Sequence, residues 1–163
     1  MRVEIVARVD APRGRAGAAE NRAAQAFLQA VNGEESFFRA SFCDAPQERS
    51  GGAPGRAVFS GSFLLVFAEA VLNQQRGQYF GLLETLRDLL AKEGSNDFLE
   101  ARLGLVQAEA APDGHSLLGE LIARGESAAQ AELRWGLGLA HIQQAILFSA
   151  RLLRRKLSSQ GAA

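Results

Sequence analysis

The sequence predicts an α+β fold: a ferredoxin-like β-α-β-β-α-β antiparallel sheet, then a short helix and a long C-terminal helix. Three observations lead there. Apolar residues alternate with polar ones over residues 2–9 and 98–107, the period of a half-buried strand. Between such stretches lie runs with apolar residues at i, i+3, i+4 and i+7, the stripe of an amphipathic helix. The last third of the chain is one long apolar-periodic segment, opening near Ser127 and running to about Leu157. At 163 residues the chain is expected to form a single domain over 1–163. Residues 1–110 would make an α+β sandwich and 115–158 a C-terminal helical extension.

The elements follow in order. In the first strand Val3, Ile5, Ala7 and Val9 share one face, and Arg2, Glu4, Val6 and Arg8 the other. Pro12, Gly14 and Gly17 make a loop of Ala11–Gly17. Ala24, Phe27, Leu28 and Val31 form a helix stripe that Asn32-Gly33 stops. Residues 36–43 read as a second strand with Phe38, Ala40 and Phe42 on one face. Residues 44–55 hold Pro46, Gly51, Gly52, Pro54 and Gly55, and are expected to be a mobile loop.

Over residues 56–67 two periods compete. Phe59, Gly61, Phe63, Leu65 and Phe67 fit a strand face, while the three Phe at spacing four fit a helix. Ser60, Gly61 and Ser62 are poor helix formers, so the strand is preferred through about Phe67, with a helix opening in Ala68–Leu72. Tyr79, Leu82, Leu83, Leu86, Leu89 and Leu90 make a helix stripe ending at Gly94. Leu99, Ala101, Leu103 and Leu105 oppose Glu100, Arg102 and Gly104 in a fourth strand. Pro112-Asp113-Gly114 is a turn signal. Ser116 would cap a short helix carrying Leu117, Leu118, Leu121 and Ile122, broken at Gly125. Ser127 with Gln130 is a capping-box pattern that starts the long helix.

That long helix is the most informative element. At 100° per residue, Trp135, Leu139, Ile142, Ile146, Ala150, Leu153 and Leu157 fall within an arc of about 80°. Leu133, Leu137, Ala140, Leu147 and Phe148 lie on roughly the opposite side. A surface helix needs only one apolar stripe. Either the helix is central, buried on both sides within the chain or broken at Gly136 or Gly138, or one face packs on the sheet and the other meets a second subunit. On the second reading Trp135, Leu139, Ile142, Ile146, Leu133, Leu137 and Leu147 are the interface candidates. The basic end, Arg151 with Arg154-Arg155-Lys156, suits a helix C-terminus, where cations oppose the macrodipole.

Composition narrows the chemistry. Lys and Arg number 18 against 18 Asp and Glu, which argues against a strongly electrostatic nucleic-acid binder. The basic residues are 16 Arg and 2 Lys, as in a GC-rich bacterial genome. A single cysteine, Cys43, allows no intramolecular disulfide and fits a reducing, cytoplasmic compartment. Glu4, Arg8 and Asp10 interrupt any signal-peptide core. Arg134, His141, Gln143 and Gln144 interrupt the one long apolar stretch, so no membrane span is expected.

With one Cys and two His, a zinc site of sulfur and imidazole ligands is not expected, and no cofactor is. No phosphate-cradling loop or dinucleotide fingerprint is present. His115 in a turn, Cys43 at a strand end and Tyr79 are the ligand candidates, each with a structural reading beside it: a solvated turn histidine, a core cysteine, a stripe residue. On a free sheet face Phe37, Arg39, Arg8, Arg102 and Phe98 could stack RNA bases, but Glu4 and Glu100 share that face.

The sequence therefore points first to a non-enzymatic, homo-oligomeric protein-interaction or assembly module with a possible protein partner. A small-ligand binder or enzyme with a pocket between sheet and helices comes second. RNA binding through an Arg-rich surface comes third, and nucleic acid is the least expected partner.

Overall fold

The computed structural model describes residues 1–6, 21–33, 36–49, 56–91, 97–107 and 114–161. Its elements are β1 (Arg2–Val6), α1 (Arg22–Val31), β2 (Phe38–Arg49), β3 (Ala57–Phe67), α2 (Ala70–Asn73), α3 (Arg76–Ala91), β4 (Leu99–Gln107), β5 (His115–Gly125) and α4 (Ala128–Gly161). The α+β class expected from the alternation of periods is the class observed. Ala7–Asp10, the Ala11–Gly17 loop, the stop at Gly94 and Pro112-Asp113 lie outside the described residues.

The five strands form one mixed sheet in the order β1-β4-β5-β3-β2. β1 runs parallel to β4, and the other pairs are antiparallel. This is not a clean ferredoxin-like sheet. A split β-α-β plan needs four strands with β1 inside, whereas here β1 is an edge and a fifth strand is present. That fifth strand is β5, where a short helix was expected. Leu117, Leu118, Leu121 and Ile122 fit a helix stripe, but they also fit a central strand covered on both sides. Such a strand reads as a near-continuous apolar run without alternation. Of His115–Gly125, only His115, Glu120 and Arg124 escape burial. The C-terminal helical extension therefore starts at Ala128, and residues 115–125 belong to the middle of the sheet.

The expected loop over 44–55 is corrected in its first half, because β2 continues to Arg49. Residues 50–55 lie outside the described residues. Pro46 is compatible with the strand because a proline removes one ladder donor, which an edge strand or bulge tolerates. β2 is an edge strand, and its register slips between Phe42 and Asp44 and again between Asp44 and Gln47. Gly61 on β3 completes the fit. A Cβ there would lie 3.1 Å from the Pro46 Cα and 3.1 Å from the Trp135 ring.

All three long helices pack on one face of the sheet. α4 is central, lying over β5 and β3, with α1 and β2 on one flank and α3 and β1 on the other. It is a single unbroken helix of 34 residues. Gly136 and Gly138 do not break it; they let it come close. A Cβ on Gly136 would sit 3.3 Å from the Ala23 Cβ of α1, and one on Gly138 3.1 Å from Leu99. The helix start follows the expected pattern with one shift. Gln130 N donates to Ser127 Oγ at 3.2 Å, but Gln130 Oε1 accepts from Glu126 N, one residue before the cap. At 1.5 Å per residue α4 spans about 51 Å, against about 36 Å for the eleven residues of β5. Its last turns therefore run past the sheet.

The core between sheet and helices is aromatic. Phe27, Phe42, Phe59, Phe63 and Trp135 form a connected ring cluster with centroids 5.0–6.3 Å apart.

Candidate functional site

The seven interface candidates divide cleanly between the two faces of α4. Trp135, Leu139, Ile142 and Ile146 face the sheet and are at most 1% exposed within the single chain. Trp135 Nε1 also donates to the Leu121 carbonyl at 3.0 Å, satisfying the ring inside the core. These four are core residues, because α4 lies flat on the two middle strands. Leu133 and Leu137 point outward, 66% and 55% exposed, and Leu147 is half-buried on the α1 side. Phe148 at 46% and Leu152 at 42% continue the outer face. Alongside it, between Leu89 and Leu90 of α3 and His141, Gln144, Phe148 and Arg151 of α4, runs an open groove of about 280 Å³.

Two of the three ligand candidates come together. The Tyr79 hydroxyl lies 2.6 Å from Asn73 Oδ1 and 2.8 Å from the His115 carbonyl oxygen. Asn73 in turn mimics a strand. Its Oδ1 accepts from Phe67 N at 2.8 Å, and its Nδ2 donates to the Phe67 carbonyl at 2.9 Å. This is a structural pin joining α3, the end of β3 and the start of β5. The contact to His115 is through its backbone, and the rings are 6.3 Å apart between centroids. Burial pushes the Tyr79 phenol well above its ordinary pKa, outweighing a hydrogen bond with the Phe67 backbone, so it remains a neutral donor. Cys43 lies on the other face of the sheet, against Val106, Leu118 and Leu64. Burial raises its thiol pKa, which is the environment of an inert cysteine rather than a nucleophile.

The helix-free face of the sheet carries a charge network that sequence reading noted only as charges opposing the RNA reading. Glu100, nearly buried, takes Arg102 at 2.9 Å and Arg124 at 3.0 Å. Arg102 also meets Glu120 at 3.4 Å and Glu4 at 3.7 Å. Burial alone would raise the Glu100 carboxyl; hydrogen bonds and charge from Arg124 and Arg102 outweigh it and hold its pKa below the usual range. The signal was present in sequence as alternating Glu100/Arg102 and Glu120/Arg124. Only the cross-strand register, Glu4 beside Arg102 and Arg102 beside Glu120, turns it into a network.

The base-stacking platform does not form from the residues named for it. Arg134 of α4 stacks on the Phe98 ring at 4.1 Å, and Arg154 of α4 sits 5.8 Å from the Phe37 ring, so both rings belong to the helix side. Arg8 lies outside the described residues. Among the described residues no group of three or more His, Cys, Asp or Glu is placed to hold a metal ion. No described helix is long and apolar enough to cross a membrane.

No protein-family model, curated protein or solved structure matches the chain.

Proposed function

We propose that the chain is a non-enzymatic protein-contact module that works as a homo-oligomer through the outer face of α4. One observation carries this reading. α4 already buries one apolar face in the core, yet Leu133, Leu137, Phe148 and Leu152 expose a second within an arc of about 100°. Folding needs only the first stripe, and two pairs of exposed apolar side chains on one helix face, flanking the polar His141 and Gln144, have the makeup of a contact site. The ligand-pocket reading draws less support, because the space between sheet and helices is filled by rings such as Phe27, Phe63 and Trp135. The proposal includes a reducing, cytoplasmic setting, for which the lone buried thiol of Cys43 is the support.

Sedimentation across a concentration series tests it. The wild-type protein is expected to show a mass above that of the 17.4 kDa chain at concentrations up to about 0.1 mM. The double variant Leu133→Glu/Leu137→Glu is expected to keep its circular dichroism and melting curve while sedimenting as a monomer. A wild-type protein that stays monomeric throughout, or a variant with unchanged mass, overturns the proposal.

A further inference from the structure

Resting on that reading, we infer that the outer face of α4 is covered by a second copy of this chain, packed antiparallel about a two-fold axis passing between Ile142 and Gln143. The spacing of the exposed side chains points there. Leu133 and Leu152 lie equally far from that midpoint, and so do Leu137 and Phe148. His141 and Gln144, both exposed, flank it most closely. Reversing the helix direction therefore maps the stripe onto itself. A two-fold contact requires that self-complementarity: whatever one copy offers at residue i must suit residue j of the other, and the converse. Here it sets Leu133 against Leu152 and Leu137 against Phe148, over about 28 Å of helix.

Charge selects the direction. A parallel pairing would also be self-complementary, but it would lay two basic ends, Arg151, Arg154, Arg155 and Lys156, side by side. The antiparallel pairing separates those ends by about 26 Å, well beyond a Debye length of roughly 8–10 Å. It sets each instead beside the start of the other helix, where the exposed Glu126 precedes Ala128, while Glu132 is turned toward α1 and accepts from Asn21 Nδ2 at 2.9 Å. The same register sets Arg134 opposite Arg151, a like-charge cost that the stacking of Arg134 on the Phe98 ring and its hydrogen bond to the Arg124 carbonyl lessen by holding the guanidinium aside.

Area sets the strength. The four exposed fractions amount to about two whole apolar side chains per copy, less than the roughly 800 Å² per copy of a standard interface. Such a dimer is reversible and concentration-dependent rather than obligate.

Disulfide trapping tests the register, in a Cys43→Ala background. In the double variant Leu137→Cys/Phe148→Cys, the two introduced thiols of one copy face those of the other. They are about 16 Å apart within a helix, too far to close on themselves. Mild oxidation is expected to give about ten-fold more covalent dimer from this variant than from Leu137→Cys alone, whose equivalent positions lie about 16 Å apart along the axes across the two-fold. Efficient trapping by Leu137→Cys alone would mean a parallel pairing and overturn the inference. Sedimentation of the same proteins separates the two readings. A dimer that forms but is trapped by neither variant leaves the homo-oligomer standing and overturns the antiparallel register. A protein that remains monomeric throughout overturns both.

Discussion

Gly119 lies in the central strand beneath the ring of Phe63, its direct cross-strand partner. A Cβ at Gly119 would stand 2.4, 2.7 and 2.9 Å from three atoms of that ring. The ring has little room to withdraw, since Phe63 is 1% exposed and packs against Phe27 at 5.0 Å and Phe42 at 6.3 Å. Gly119→Ala therefore forces one methyl into a filled core. Overpacking of this kind costs about 1–3 kcal/mol, and contact with three ring atoms puts it near the upper end. Alanine recovers about 0.5–1 kcal/mol of glycine's backbone entropy. The expected net loss is about 2 kcal/mol, a fall in Tm of about 4–8 °C for a chain of this length. Urea denaturation followed by Trp135 fluorescence measures it, because this sole tryptophan is buried in the same ring cluster. Phe63→Leu should relieve part of the clash, so the double variant Phe63→Leu/Gly119→Ala should be more stable than the sum of its parts by at least about 1 kcal/mol. A Gly119→Ala protein within about 0.5 kcal/mol of wild type, or strict additivity in the double variant, would refute the reasoning.

Two further outcomes follow from the same packing. Glu100 has its carboxyl pKa lowered in the folded protein, so its stabilisation is present above the unfolded value near 4.3 and is lost as pH falls through the folded one. Glu100→Gln should cost about 1–2 kcal/mol at pH 7, discounted for the exposure of Arg102 and Arg124, and should flatten the fall in stability as pH drops below the unfolded carboxyl value; an unchanged acid limb in a pH series of urea midpoints would count against the network. Ile142→Glu should unfold the chain rather than yield a monomer, because the residue faces the sheet at 1% exposure and an unpaired buried carboxylate rivals the whole stability of a domain. A folded Ile142→Glu protein by circular dichroism would show that the sheet-facing assignment is wrong.

Where one face of an element is buried and the other wet, the period was readable directly. α1 and α3 are of this kind; β1 and β4 are legible instead from the alternation of apolar and polar residue types, although no β1 residue is buried and both Glu100 and Val106 of β4 are. β3 was resolved by the poor helix propensity of Ser60-Gly61-Ser62, and the start of α4 by Ser127 and Gln130. β5 is not legible in sequence, because a strand with neighbours on both edges and buried residues on both faces carries an apolar run without alternation. β2 was cut short because Pro46 and a shifting register look like a loop until the strand is known to lie at an edge. The candidate site divides in the same way. That α4 has two apolar faces is written in its sequence. Which face is core and which is outside is fixed by the strands beneath α4; the outer arc differs in sequence only by the polar residues His141, Gln144 and Arg151 set among its apolar ones.

The sequence by itself determined the α+β class, the unusual length of the last helix and its double stripe, because these depend on local period and composition. Only the tertiary structure decided that Trp135, Leu139, Ile142 and Ile146 are internal, that Glu100 joins two arginines, and that Leu133, Leu137, Phe148 and Leu152 stand outside. Those outcomes depend on which strands lie beneath α4, and strand order is set by pairing between segments up to a hundred residues apart.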